Sequence, residues 1–128
     1  MLMINPFILL VMTISFWSCA AITAISAFTS LGFSVAAART SEGLARTNAL
    51  YATARSAPLA LASLVTFFSK SNVWLIAIAS LMILVQAIDA VIGITIGDKM
   101  KTYGPAITAA ANLLALAWLT HSVHDGRA

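Results

Sequence analysis

From Val73 to Ile96 the chain reads VWLIAIASLMILVQAIDAVIGITI, and Asp89 is the one charged residue in this segment. A helix rises about 1.5 Å per residue, so the segment is long enough to cross the roughly 30 Å of hydrocarbon in a bilayer. Backbone groups in hydrocarbon must be hydrogen-bonded within the segment, and an α-helix meets that condition. The segment therefore predicts a transmembrane helix.

Three other apolar segments predict three more spans. The four spans cover about residues 7–35, 49–69, 73–96 and 105–120, and short connections join them. The first exceeds one bilayer thickness, so we expect it to tilt, to bend near Gly32 or to extend into the cytoplasm. A cleaved signal peptide is not expected there, because the basic region that begins such a peptide is missing. The predicted fold is all-α, a four-helix transmembrane bundle in which residues 1–128 form one domain.

The overall composition supports a membrane protein. Of the 128 residues, 61% are hydrophobic and 9% are charged, whereas soluble domains carry about 25% charged residues. This excludes a soluble enzyme, a disordered chain and a coiled coil. The net charge of +3 comes from basic residues beside apolar spans, where they orient the protein, so no nucleic-acid partner is expected. The single cysteine, Cys19, excludes an internal disulfide.

The distribution of basic residues predicts the orientation in the membrane. An even number of spans puts both termini on one side, which carries Lys70 and Arg127. Loops 39–48 and 97–104 and their flanks hold the other five basic residues, so these loops are predicted to be cytoplasmic. The depth of the spans has independent support, because aromatic residues that prefer the membrane interface lie at both ends: Trp74, Trp118, Tyr51 and Tyr103.

Four polar residues interrupt the spans: Arg55, Gln86, Asp89 and Asn112. A charge at the bilayer centre costs about 2.5–3.5 kcal/mol on insertion scales, so such residues usually face the bundle interior and have partners. From the helix rise, three of them lie about 9–10 Å from the cytoplasmic ends of their spans. We expect Arg55 and Asp89 to form a buried pair whose remaining hydrogen bonds are satisfied by Gln86 and Asn112. A purely structural role for this pair is the alternative to a functional one.

Helical periodicity groups these residues into inward stripes. The stripe of span two is Asn48, Tyr51, Arg55, Leu59, Ala62 and Thr66; that of span three is Met82, Gln86, Asp89, Gly93 and Ile96; that of span four is Pro105, Thr108, Ala109, Asn112 and Leu116.

Pro58 predicts a kink in span two. Gly93-x-x-x-Gly97 predicts a close helix contact. Asp89 and Arg55 are the candidate catalytic residues, and the candidate substrate-binding residues are Gln86, Asn112, Tyr51 and Met82.

Signals for metal ions and cofactors are weak. His121-x-x-His124-Asp125 has possible ligand spacing, but such residues at a chain end are usually solvated, so we expect no metal site. Phosphate-cradling glycine loops and nucleotide fingerprints are also missing from the sequence, and no cofactor is expected.

From about Leu44 to Trp118 the chain resembles the DoxX-like group of small four-helix membrane proteins. The resemblance rests on Leu44-Ala45-Arg46 followed by Tyr51-Ala52-Thr53-Ala54-Arg55, on Ala87-Ile88-Asp89-Ala90, and on a short loop into an alanine-rich last span. It implies the same fold, with an inward polar site at Arg55 and Asp89. Some relatives are linked to quinone-dependent oxidoreduction, and other proteins of this build act on lipophilic substrates without a bound cofactor.

Three functions remain open at this point. The first is a polar intramembrane pocket that binds a lipophilic small molecule and converts it by acid–base catalysis, such as a double-bond shift or an epoxide opening, with Asp89 as the proton donor. The second is an accessory subunit of a quinone-linked oxidoreductase. The third is a small transporter, which would need a homo-oligomer because four short helices rarely enclose a pathway; Gly93 and Gly97 offer one contact for a dimer.

Overall fold

Four α-helices account for most of the backbone. The computed structural model describes residues 5–127, with side chains through Asp125, and within that range it contains no strand. The helices are α1 (Pro6–Thr40), α2 (Gly43–Ser69), α3 (Asn72–Thr95) and α4 (Lys99–Arg127). The predicted all-α, four-helix architecture is confirmed.

Side chains of neighbouring residues determine where α1 and α3 begin. Asn5 Oδ1 accepts a hydrogen bond from the Phe7 N–H at 2.9 Å, and proline suits the first helical position because it has no N–H to satisfy. Ser71 Oγ accepts a hydrogen bond from the Trp74 N–H at 3.2 Å. Lys70 closes α2 in the left-handed conformation, with φ of 53°. The turn between α2 and α3 is therefore only Lys70 and Ser71.

The turn between α3 and α4 combines a glycine cap with an aspartate cap. Gly97 has φ of 70°, and the Asp98 N–H donates to the Gly93 carbonyl at 3.0 Å, which satisfies an end carbonyl of α3. The carboxylate of Asp98 then accepts a hydrogen bond from the Lys101 N–H at 3.1 Å. Asp98 therefore completes the end of one helix and starts the next.

The two loops predicted to be cytoplasmic are much shorter than the sequence suggested. Residues 39–48 and 97–104 were expected outside the spans, but only Ser41–Glu42 and residues 96–98 lie between helices there. The helices extend past the apolar segments that the sequence marks as spans, so span limits and helix limits differ. Pro105 accordingly lies inside α4. Its missing N–H leaves the Lys101 carbonyl without a helical partner.

The helices form a four-cornered bundle. α1 packs along α2 and α4, α3 packs along α4, and α1 also meets α3 across the centre. The contact between α2 and α3 is the least extensive of these interfaces. α2 and α4 occupy opposite corners and do not touch within the described residues.

Large apolar side chains cover the outside of the bundle, whereas smaller ones fill much of the inside. Phe7, Leu44 and Phe68 are more than two-thirds exposed. The main core cluster consists of Phe16, Cys19, Ala20, Leu75, Ala79, Ala115, Leu119 and Val123, and a smaller one of Ala27, Ala60 and Met82. Such a surface suits lipid rather than water, and small residues let membrane helices approach closely.

Three of the helices are long and apolar enough to cross a membrane. They are α1, α3 and Lys99–Asp125 of α4, whereas α2 has 27 residues but a more polar sequence. Together with the apolar exterior, these lengths and compositions identify an integral membrane protein. The side on which each turn lies remains a prediction from the basic residues.

Candidate functional site

A guanidinium–carboxylate pair joins α2 and α3. Arg55 Nη2 donates to Asp89 Oδ1 at 3.0 Å and to Oδ2 at 3.2 Å. Side chains on a helix lean towards its N-terminus, and α2 and α3 run in opposite directions, so the two side chains lean towards each other. The structure therefore brings together the two candidate catalytic residues.

The pair lies at the outer edge of the bundle rather than inside it. The side chain of Arg55 is 44% exposed and that of Asp89 is 23% exposed. Since α2 and α3 make the least extensive contact in the bundle, the pair sits at a partly open seam between them. The expectation of a buried pair is therefore wrong, because both side chains are partly exposed.

The face that α2 turns inward differs from the predicted stripe. Of the predicted stripe residues, Thr66 is buried, whereas Tyr51 is 73% exposed and Asn48 is also exposed. The buried residues of α2 are small or hydroxyl-bearing: Ala49, Ser56, Ala60, Ser63 and Thr66. These side chains allow α1 to pack closely, which a guanidinium or a phenol ring would prevent. Tyr51 lies one turn before Arg55 on the outward side.

Most of the donor capacity of Arg55 is not used by the protein. One nitrogen, Nη2, makes both bonds to Asp89, and no hydrogen bond is formed by Nε or Nη1 within the described residues. A guanidinium has five N–H donors in a planar fork. The unused donors belong to a half-exposed group on the outside of the bundle.

Gln86 and Asn112 do not complete the pair, contrary to the expectation. Asn112 is fully buried, and its Oδ1 accepts a hydrogen bond from Thr23 Oγ1 at 2.9 Å. Gln86 is 4% exposed and its Oε1 has no hydrogen-bond partner. Arg55 reaches Asp89 along the outside of α3, whereas Gln86, one turn earlier, is turned towards the interior. The fourth substrate-binding candidate, Met82, is a core residue beside Ala27 and Ala60.

Two hydroxyl contacts that sequence reasoning missed tie α1 into the bundle. Thr23 bonds Asn112 of α4, and Ser30 Oγ lies 3.1 Å from Ser56 Oγ of α2. A signal for them exists in the sequence, because polar or sulfur-bearing residues recur along α1 at helical spacing. This inward stripe of α1 consists of Ser15, Cys19, Thr23, Ser26, Ser30 and Ser34.

The glycine pair of α3 is used within the chain itself. A Cβ atom on Gly93 would lie 2.5 Å from the Lys101 carbonyl oxygen, so α4 approaches the backbone of α3 there. Gly97 has no such neighbour within 4 Å and serves the turn through its positive φ. Gly93 is therefore not available for the dimer contact that the sequence suggested, because α4 of the same chain covers that residue. A homo-oligomer stays a prediction.

Two cavities of the bundle lie away from the ion pair. These cavities, of about 100 and 230 Å³, open at the end that carries both termini, and neither is lined by Arg55 or Asp89. Access to the pair is from the side, along the seam between α2 and α3.

Metal-ligating side chains do not cluster in the described part of the chain. No group of three or more His, Cys, Asp or Glu residues there could hold a metal ion. His121 Nε2 lies 3.3 Å from Asp125 Oδ2, one turn along α4, so the two residues interact within a single helix.

The chemical capacity of the site follows from its own residues. The pair offers hydrogen-bond donors on Arg55 and a carboxyl group on Asp89 that can exchange a proton, and both side chains are partly exposed on the outside of the bundle. Comparison of the chain with protein-family models, with curated proteins and with solved structures found no match.

Proposed function

We propose that this membrane protein binds a neutral lipophilic molecule at the seam between α2 and α3, through a hydrogen-bond acceptor on that molecule. The observation that carries the proposal is the half-exposed guanidinium of Arg55, whose Nε and Nη1 have no protein partner in the described residues. In hydrocarbon an unsatisfied polar group costs several kcal/mol. An acceptor dissolved in the same leaflet would remove that cost.

The charge next to Arg55 favours a neutral ligand over an anion. Asp89 lies 3.0 Å from Nη2 and would repel a carboxylate or phosphate at the neighbouring nitrogens. A carbonyl or hydroxyl oxygen accepts a hydrogen bond without adding negative charge. Tyr51, exposed one turn before Arg55, offers an aromatic surface for the apolar part of the same molecule.

Access to the seam depends on the two halves of α2. The indole N–H of Trp74 donates to the Ala62 carbonyl at 2.9 Å, which attaches the second half of α2 to α3. Pro58 interrupts the helix between Ala62 and Arg55, because it cannot bond the Ala54 carbonyl. The first half of α2 is bonded to α3 through Arg55 and Asp89, so movement at Pro58 would widen the seam for a ligand.

Conversion of the ligand is the second part of the proposal. With a carbonyl oxygen held by Arg55, Asp89 removes a proton from the carbon next to the carbonyl and returns it two carbons further along, which shifts a double bond without a cofactor. Gln86, Asn112 and Met82 support this site from the interior rather than contact the ligand directly. We also propose that the chain belongs to the DoxX-like group and that the turn at Ser41–Glu42 is cytoplasmic.

The binding test uses a long-chain methyl ketone with carbon-13 at its carbonyl, added to the full chain in lipid nanodiscs. We expect a saturable change in the carbonyl chemical shift, because hydrogen bonding to a guanidinium polarises the carbonyl. Arg55→Gln should remove the change, whereas Arg46→Gln should keep it, because Arg46 is exposed on the same helix outside the seam. Equal spectra for wild type and Arg55→Gln would overturn the proposal.

Conversion is tested separately with a β,γ-unsaturated long-chain ketone. Wild type should convert it to the conjugated isomer faster than empty nanodiscs, and Asp89→Asn should abolish the difference while the labelled saturated ketone still binds. Equal turnover by wild type and Asp89→Asn would leave the binding proposal standing and would exclude Asp89 from the chemistry.

A further inference from the structure

A notch opens at the end of the bundle that carries both termini. α1 has 35 residues and α2 has 27, and they meet at a two-residue turn. At about 1.5 Å per residue, α1 therefore reaches about 12 Å beyond the turn that joins α2 to α3. The cavity of about 230 Å³ lies beside this turn, with Lys70 and Asn72 at its floor and mostly apolar side chains of α1 and α4 around it.

The floor of the notch is positively charged. Lys70 is exposed, and no carboxylate of the described residues lies within 4 Å of its ammonium group. Asp125, the acidic residue at this end, pairs with His121 on α4. The notch therefore favours an anionic group.

The walls of the notch are mostly apolar. Leu9, Met12 and Phe16 line one side, next to Trp17. Trp17 stacks on Phe67 with ring centroids 5.8 Å apart, and tryptophan is enriched where bilayer meets water. A cavity of about 150 Å³ is enough to bind benzene, so the notch has room for part of a hydrocarbon chain.

We propose that this notch binds one anionic phospholipid, with its phosphate on Lys70 and the upper part of an acyl chain against Trp17 and Phe16. Two features of the notch support a lipid. A basic floor lies beside an apolar wall, and Trp17 and the end of the apolar segment of α2 at Ser69 predict that this level is the boundary of the bilayer. The site is independent of the seam at Arg55, which lies towards the opposite end of α2 and favours a neutral ligand.

The test measures quenching of Trp17 by phospholipids brominated on the upper acyl chain. The full chain carries Trp74→Phe and Trp118→Phe, so that Trp17 is its remaining tryptophan. At equal mole fraction in phosphatidylcholine nanodiscs, brominated phosphatidylglycerol should quench at least about twofold more than brominated phosphatidylcholine. Lys70→Asn should remove the preference, and asparagine tolerates the left-handed backbone at this position. Lys99→Gln, at the other end of the bundle, should retain it.

A second measurement leaves all three tryptophans in place. Native mass spectrometry of the unmodified chain from phosphatidylglycerol nanodiscs should show one retained phosphatidylglycerol, and Lys70→Asn should lose it while Lys70→Arg keeps it. Equal quenching by the two brominated lipids, or retained lipid in Lys70→Asn, would overturn the site. A preference for phosphatidylglycerol that survives in Lys70→Asn but disappears in Lys99→Gln would place the lipid at the opposite end of the bundle. That result would also contradict the proposed site at Lys70.

Discussion

Asn112 is one of three buried residues in the described part of the chain, with Thr66 and Gln86, whose side chains keep a polar atom without a hydrogen-bond partner. Its side chain is fully buried, and its Nδ2 atom has no hydrogen-bond partner within the described residues, so Thr23 supplies the side-chain hydrogen bond that Asn112 has. A buried polar atom that loses its partner costs about 1–3 kcal/mol. The contact between Thr23 and Asn112 therefore matters more than a typical hydroxyl bond on the outside of a membrane helix.

Replacing Thr23 by valine tests this contact. Thr23→Val keeps the side-chain shape but leaves Asn112 Oδ1 without a donor, so we expect the free energy of unfolding in detergent to fall by about 1–3 kcal/mol. Thr120→Val is the matched control, because Thr120 is exposed and bonds only to the Ala117 carbonyl of its own helix. An equal decrease in the free energy of unfolding for the two variants would show that the bond from Thr23 to Asn112 contributes no more to stability than the bond within α4.

The coupling between Arg55 and Asp89 is measurable with a double-mutant cycle. Unfolding of Arg55→Gln, Asp89→Asn and the double variant should give a coupling energy of about 1–2 kcal/mol, because the partly exposed pair lies beside lipid rather than water. Asp98→Asn and Lys101→Gln form the control cycle, since that pair is 4.0 Å apart and more exposed. Its coupling should be below about 0.5 kcal/mol. Similar coupling energies in both cycles would contradict the claim that Arg55 and Asp89 interact more strongly than an exposed ion pair.

Among the helix contacts, the closest approach that involves a glycine joins α3 to the start of α4. A Cβ atom at Gly93 would collide with the backbone of Lys101 and Thr102, which cannot move aside as a flexible side chain can. Gly93→Ala should therefore lower the free energy of unfolding by at least about 1–3 kcal/mol. Gly32→Ala should instead raise it by about 0.5–1 kcal/mol, because nothing lies within 4 Å and alanine favours a helix. Thermal unfolding of both variants in the same detergent provides the comparison, and a stable Gly93→Ala would disprove the contact.

Hydropathy and helix rise predict part of this fold from the sequence. Apolar length identifies α1, α3 and α4, whereas the predicted span 49–69 corresponds to α2, whose sequence is more polar. The meeting of Arg55 with Asp89 follows from depth, which depends only on the distance along a helix. Helix ends do not follow from hydropathy, because caps such as Asn5, Ser71 and Asp98 determine them.

The main error in the predicted helices concerns α2, because the wrong set of its side chains was predicted to face the bundle interior. Sequence reasoning turned Arg55 inward on the premise that a charge avoids lipid. The structure turns Ser56, the next residue, inward instead, where its hydroxyl meets Ser30. Close packing of small residues decides the rotation of the helix, and a long arginine can reach a partner from the edge. The hydroxyl stripe of α1 is the sequence feature that would have corrected this assignment.

At the scale of the whole molecule, the membrane orientation is open to a direct test. Cys19 is fully buried, so the wild-type chain should react poorly with a membrane-impermeant maleimide. Ser41→Cys should be labelled from the cytoplasmic side of oriented vesicles and Asn5→Cys from the other side, because the basic residues cluster near the turn at Ser41. Both residues adjoin helix ends, so they serve as matched positions. The reverse labelling pattern would invert the predicted topology.

The bond between Thr23 and Asn112 links residues 89 positions apart, on the first and last helices. The ribosome synthesises α1 before α4. During synthesis Thr23 is therefore without its hydrogen-bond partner Asn112 until α4 is made. Chains released before α4 is complete lack the fourth helix of the bundle. In such chains Cys19 would not be buried by Leu119 and the neighbouring residues of α4. Exposure of that thiol to a lipid-soluble reagent would then distinguish unfinished chains from finished ones during biogenesis.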